Sequence, residues 1–127
     1  MIKLDFGKMG GLVTAVTVDC DNGDVLMVAY MNEEAFQRTL ETGIVHYFSR
    51  SRNKLWKKGE SSGHVQQVEE IRVDCDLDAV VIRARQTGPA CHEGYRSCFF
   101  RTVSPAGELV LNQERQLDPS EIYGGKS

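Results

Sequence analysis

No stretch of this 127-residue chain approaches the roughly 20 consecutive apolar residues that a membrane-crossing helix needs, so no membrane partner is expected. The opening residues, Met-Ile-Lys-Leu-Asp-Phe, also lack the apolar core of a secretory signal. These two absences make a soluble, cytoplasmic protein the expectation. There is no basic excess: 15 Lys and Arg stand against 18 Asp and Glu, a formal charge of −3, which speaks against nucleic acid as a partner. No repeat, linker or composition break divides the sequence, so residues 1–127 are read as one domain. Four cysteines occur without a Cys-x-x-Cys pair, and in a reducing compartment they are thiols or metal ligands rather than disulfides. A core this small gains from a second subunit or a structural metal.

What is present is an uneven charge distribution. Arg50, Arg52, Lys54, Lys57 and Lys58 share nine positions with no acid, while Glu69, Glu70, Asp74, Asp76 and Asp78 face only Arg72. Such a division suits a substrate with anionic ends processed beside cations held by carboxylates.

In chain order, Leu12 to Cys20 reads as a strand, Asp21-Asn22-Gly23-Asp24 as a turn and Val25 to Tyr30 as the hairpin partner. The apolar run Val25-Leu26-Met27-Val28-Ala29 predicts burial on both faces. Cys20, at the turn, is read as a half-buried hydrophobe. Asn32 predicts a helix cap, with Glu33 and Glu34 in the first turn and Gly43 at the end. Met31 is placed to pack on Phe36, and Phe36 with Leu40 on one face. Ile44 to Ser49 is a strand in which His46 is a half-exposed polar position. Val65 to Asp74, Ala79 to Ala84, and the pair Phe99 to Val103 with Leu109 to Leu111 complete the strands. Asp118 and Pro119 open a short helix. The expectation is an α+β, mainly β domain.

Between them lies the segment 49–64, where bases alternate with hydroxyls around Trp56, the only Trp. Gly59 and Gly63 would let backbone N–H groups approach an anion. Arginine pairs with phosphate by two hydrogen bonds and lysine as a point charge. A phosphate site and a solvated basic face both satisfy these residues.

Residues 74–98 combine hard and soft metal donors. On a regular strand Asp74, Asp76 and Asp78 share one face, neighbours roughly 6.6 Å apart and the outer two roughly 13 Å apart. Oxygens about 2.1 Å from one ion cannot span the longer distance, so three ligands to one ion require a bend. Cys75 faces away from the Asp row, and Cys91 and Cys98 follow. Three thiolates would leave one tetrahedral position for water, the arrangement of a catalytic zinc. A solvated acidic turn and three buried thiols satisfy the same residues. The metal reading makes the chain a two-metal hydrolase.

Five spaced motifs then coincide. They are Val25-Leu26-Met27 with Tyr30-Met31-Asn32; Ser49-Arg50-Ser51-Arg52; Leu55-Trp56-x-Lys58-Gly59-Glu60-x-Ser62-Gly63-His64; Asp74-Cys75-Asp76-x-Asp78; and Cys91-His92-x-Gly94 before Ser97-Cys98-Phe99. From about Gly11 to Arg101 the chain resembles the phosphoribosyl-AMP cyclohydrolase family. Glu93 stands where Thr is usual, and Cys20 lies outside the pattern. The resemblance implies Mg²⁺ on Asp74, Asp76 and Asp78, and Zn²⁺ on Cys75, Cys91 and Cys98 at a homodimer interface. It also implies a compact pseudo-barrel of twisted sheets. The pyrophosphohydrolase domain of some members has no counterpart here, which implies the monofunctional form.

The implied reaction of histidine biosynthesis adds water to C6 of an N1-substituted adenine and opens the N1–C6 bond. Zinc can lower a water pKa to about 7. For proton transfer His92 stands first, with His64 and Glu60 behind it. Arg50, Arg52, Lys54 and Lys58, with Ser62, would hold the two phosphates of the nucleotide substrate, and Trp56 would stack on its base. Two other readings compete. A zinc deaminase needs Pro-Cys-x-x-Cys, and Pro89-Ala90-Cys91-His92-Glu93 lacks the second Cys at that spacing. A metal-stabilised nucleotide-binding module would have no open coordination position.

Overall fold

Val13–Asp19 forms β1, and its alternation sets the sheet: Val13, Ala15, Thr17 and Asp19 are buried, while Thr14, Val16 and Val18 are half-buried. The computed structural model describes residues 2–123. It continues with β2 (Val25–Met31), α1 (Glu33–Thr42), β3 (His46–Ser49), β4 (Lys54–Lys57), β5 (Gln66–Val73) and β6 (Ala79–Gln86), then β7 (Arg101–Val103), β8 (Leu109–Leu111) and α2 (Pro119–Tyr123). The domain is mainly β, with three sheets and two short helices.

The main sheet runs β2-β1-β6-β5. Its outer pairs are antiparallel and the central β1–β6 pair is parallel, aligning Thr14 with Ala79 and Asp19 with Ala84. A parallel pair needs a long crossover, here everything from β2 through β5. β2 lies at the sheet edge and corrects one expectation: Val25 and Val28 are 39% and 46% exposed, so this strand is not covered on both faces. The register shifts opposite Thr17 and Val18, leaving Leu26 unpaired, and the bulge turns both Leu26 and Met27 inward.

α1 begins where Asn32 Oδ1 accepts the Ala35 N–H at 2.8 Å and ends at Gly43, whose φ of 73° is left-handed. Ala35, Phe36 and Thr39 form its buried face, whereas Leu40, one turn on from Phe36, is 42% exposed. Thr39 Oγ1 donates to the Ala35 carbonyl and accepts from His46 N–H, tying the helix to β3. His46 is buried rather than half-exposed, its Nδ1 2.8 Å from the Ile44 carbonyl oxygen.

The core joins Val13, Ala15, Met27, Met31, Phe36, Val45, Tyr47, Val80, Ile82 and Ala84. Through it runs a polar chain. Tyr47 Oη lies 2.6 Å from both Thr17 Oγ1 and Gln66 Oε1, and Gln66 Nε2 donates to Gln86 Oε1 at 2.8 Å. The β7–β8 hairpin is exposed on both faces, and Asp118 caps α2 by accepting the Ser120 N–H at 3.0 Å.

Candidate active site

The connection between β5 and β6 bends sharply. Leu77 takes a left-handed φ of 65°, and Asp74 Oδ1 accepts the N–H groups of Asp78 and Ala79. The Leu77 carbonyl accepts from Asp5 N–H, bringing the N-terminal segment across the turn. The bend gathers one oxygen each from Asp74, Asp76 and Asp78 within 4.8 Å of one another. Two oxygens on opposite sides of a Mg²⁺ ion, each at about 2.1 Å, stand about 4.2 Å apart, so this donor set fits a hard divalent cation. Lys8 Nζ adds charge of the opposite sign, 2.9 Å from Asp76 Oδ2 and 3.7 Å from Asp78 Oδ2. The Lys8 hydrogen bond, followed by that from Asp78, holds the Asp76 carboxyl down to about 2. Hydrogen bonds to Asp74 and Asp76 raise Asp78 instead, the signature of crowded carboxylates.

The second cluster follows β6. Cys91 is buried, its N–H donates to the Tyr95 carbonyl, and its Sγ accepts the Glu93 N–H at 3.4 Å. Cys98 N–H donates to the Leu26 carbonyl at 2.7 Å, fixing it to the edge strand. Although Cys98 reaches solvent, desolvation first and then the adjacent Cys91 push its thiol up to about 12. Two sulfurs brought side by side fit a soft metal ion. Cys75 is exposed at the acidic turn and forms no three-ligand group with them among the described residues.

An open cleft of about 630 Å³ lies beside this pair, lined by Arg52, Lys54, Trp56, Lys58, Glu60, Ser62 and His92, with Ser49, Lys57, Gly59 and Ser61. Trp56 leans on Tyr47, ring centroids 5.0 Å apart. Lys58 Nζ donates to the Ala90 carbonyl at 2.5 Å, and its burial lowers its pKa. Arg50 is outside the cleft lining, its guanidinium 4.3 Å from the Tyr30 ring centroid. His64 is outside it as well, packed against Gly88, where a Cβ would lie 2.6 Å from its Cδ2. The Gly63 N–H donates to the Gly59 carbonyl at 2.8 Å, which engages it within the loop rather than with an anion.

The two clusters are far apart in one chain. Gln66 pairs with Gln86 at one end of the β5–β6 hairpin and Val73 with Val80 at the other. Seven steps at ~3.4 Å put roughly 24 Å between the acidic turn and the end of β6 that leads into the cysteine loop.

The phosphoribosyl-AMP cyclohydrolase family profile matches residues 27–100. Phosphoribosyl-AMP cyclohydrolase of Solibacter usitatus is 57% identical over 127 residues, covering 99% of this chain and all of that protein. That of Desulforapulum autotrophicum is 54% identical over 124 residues, 97% of this chain and 99% of its own. That of Methanothermobacter thermautotrophicus is 58% identical over 115 residues, 89% and 83% respectively. The chain belongs to the phosphoribosyl-AMP cyclohydrolase family.

Within this cyclohydrolase domain the structure brings together three of the sequence-predicted groups: the Asp row, the Cys91–Cys98 pair and the basic cleft with Glu60 and His92. It leaves Cys75, Arg50 and His64 outside them. Lys8 escaped the sequence reading because its partners lie 68 positions away and no local pattern announces it. Lys57, named in the basic run but given no part in substrate binding there, lines the cleft as well.

Proposed function

We propose that this chain opens the adenine ring of 1-(5-phosphoribosyl)-AMP at the N1–C6 bond, giving the phosphoribosyl-formimino aminoimidazole carboxamide ribotide. Family membership makes it a phosphoribosyl-AMP cyclohydrolase, a hydrolase of histidine biosynthesis. The observation that carries the residue assignment is the cleft: cations, an aromatic face and two proton carriers open beside the paired thiols. Arg52 and Lys54 hold the phosphates, Trp56 supports the base, and Ser62 adds a hydroxyl. Arg50 stacks on Tyr30 and reaches the substrate only by leaving that ring. Glu60 and His92 line the same space and exchange protons with the attacking water and the departing N1. The His92 side chain is 76% exposed, with Glu93 Oε2 3.5 Å from its Nε2.

Cys91 and Cys98 with Cys75 would hold Zn²⁺, which when bound supplies a water acidic enough to lose its proton near neutral pH. Asp74, Asp76 and Asp78 would hold Mg²⁺ close to a phosphate. Because roughly 24 Å separates the ends of the β5–β6 hairpin, Cys75 meets Cys91 and Cys98 only by coming from a second copy. Two surfaces support a homodimer. Val28, Val16 and Val81 align across three strands on the outward face, and Val103, Leu109, Val110 and Leu111 are each more than half exposed on a hairpin too small to stand alone. The site of action is the cytoplasm; no helix among the described residues is long and apolar enough to cross a membrane.

The test is metal analysis and an ultraviolet assay on the purified protein. Cys91→Ser should lose zinc and ring opening together while keeping the fold; a zinc-free, fully active variant rejects the assignment. Asp76→Asn should weaken Mg²⁺ dependence and keep zinc. Release of ammonia would instead indicate deamination, and no spectral change a binding module.

A further inference from the structure

The segment after β8 crosses back over the loop that separates Cys91 from Cys98. Gln116 and Leu117 N–H groups both donate to the Gly94 carbonyl, at 2.7 and 3.2 Å. Ser97 N–H donates to Gln113 Oε1 at 3.1 Å. The Arg115 guanidinium lies 5.1 Å from the Tyr95 ring centroid, and Tyr95 in turn stacks on Phe100, ring centroids 3.9 Å apart. The approach is close enough to demand glycine. A Cβ on Gly94 would sit 1.8 Å from the Leu117 carbonyl oxygen, and its φ of 92° also disfavours any side chain.

The loop is anchored on its inner side as well. Arg96 donates from Nε and Nη2 to Asp19 Oδ2 and from Nη1 to the Gly88 carbonyl. Between these two attachments the Cys91–Cys98 backbone folds on itself, Cys91 N–H to Tyr95 and Ala90 N–H to Arg96. Every member of the loop from Gly94 to Cys98 thus has a tether outside the loop or a bond across it. None of the outer contacts touches the cleft lining, and residues 113–117 fall outside the region matched by the family profile.

We propose that Gln113–Leu117 is a strap that positions the two thiols for metal, with Gln113 and Gly94 as positioning residues. The proposal rests on the reading of Cys91 and Cys98 as zinc ligands. Partners that orient ligands typically contribute 10- to 100-fold to metal affinity when intact, because a loose loop must be ordered at each binding event. A support of the fold alone would lower the stability of the metal-free protein and leave zinc affinity for the folded state unchanged.

The experiment measures zinc affinity of the full-length protein by competition with a chromophoric chelator, beside the Tm of the same samples without metal. Gln113→Ala is expected to weaken zinc by about 10-fold or more with little change in metal-free Tm. Gln113→Glu, which keeps an acceptor for Ser97 N–H, is expected to retain most of the affinity. Gly94→Ala should reproduce the loss if it folds; Gln113→Ala carries the test if it does not. Unchanged affinity in Gln113→Ala, or a loss accompanied by an equal loss of metal-free stability, overturns the strap. A wild-type protein that takes up no zinc overturns the zinc reading, and the strap's metal role falls with it.

Discussion

Lys8 Nζ lies 2.9 Å from Asp76 Oδ2, placing a fixed positive charge at the mouth of the acidic turn. A divalent cation on Asp74, Asp76 and Asp78 must share that space with the ammonium or displace it. Lys8→Met therefore should tighten Mn²⁺ binding at this turn, by about fivefold for a solvent-exposed charge pair. Titration calorimetry of the zinc-loaded protein reads it directly. Weaker binding in Lys8→Met would mean that Lys8 organises the turn rather than competing for it.

Gly88 and His64 pose a steric question. A Cβ on Gly88 would meet the His64 ring at 2.6 Å (Cδ2) and 2.9 Å (Nε2), and the residue's φ is 67°. Gly107, with a φ of 84° and nothing within 4 Å, carries the backbone strain alone. Both Ala variants should lose about 1–3 kcal/mol from the left-handed conformation. Only Gly88→Ala should also move the His64 ring signals, readily followed by NMR in a chain with three histidines. Identical effects of the two variants would show that the ring yields without consequence.

The ion pair between Arg96 and Asp19 ties the cysteine loop to β1. The Asp19 side chain is 5% exposed and that of Arg96 31%, with Nη2 at 3.0 Å. Removing the cation strands a buried carboxylate, so Arg96→Met should cost about 3–5 kcal/mol. The double variant Asp19→Asn/Arg96→Met should cost less than the sum of the single ones, which urea unfolding of all four proteins can measure. Strict additivity would mean that the pair does not interact.

What the sequence revealed and concealed follows from the range of the interactions involved. The α1 boundaries were legible because Asn32 and Gly43 act on backbone groups within a few residues. The capping of α2 by Asp118 was legible for the same reason. The Asp row also announced its bend, since three carboxylates at alternate positions could not otherwise converge. The exposure of Val25 and Val28 was not legible, because an unbroken apolar run does not tell that its strand lies at a sheet edge. His46 was misread as half-exposed, since its partners Thr39 and Ile44 bury it from a helix end that strand alternation ignores. Leu40 likewise fits a helical stripe that the narrow contact of α1 leaves uncovered. Lys8 and the strap act across long sequence separations, where no local pattern carries information.

Tyr47 supplies a prediction about alkaline pH. Its hydroxyl is fully buried between Thr17 and Gln66, and desolvation raises its pKa well above the usual value near 10. The unfolded chain therefore loses the phenolic proton above pH ~10 while the folded chain keeps it. Fewer protons bound by the unfolded state means that stability falls as pH rises, by up to about 1.4 kcal/mol per unit, between the unfolded and folded values. Below pH ~10 this group contributes no slope. Tyr47→Phe removes that slope but leaves Gln66 Oε1 without its donor, at a cost of about 1–3 kcal/mol near neutrality. Urea unfolding from pH 8 to 11 should thus show two curves that converge as pH rises, the variant starting lower and declining less steeply. Parallel curves would show that the phenol ionises without unfolding, and that the polar chain through the core tolerates a charge.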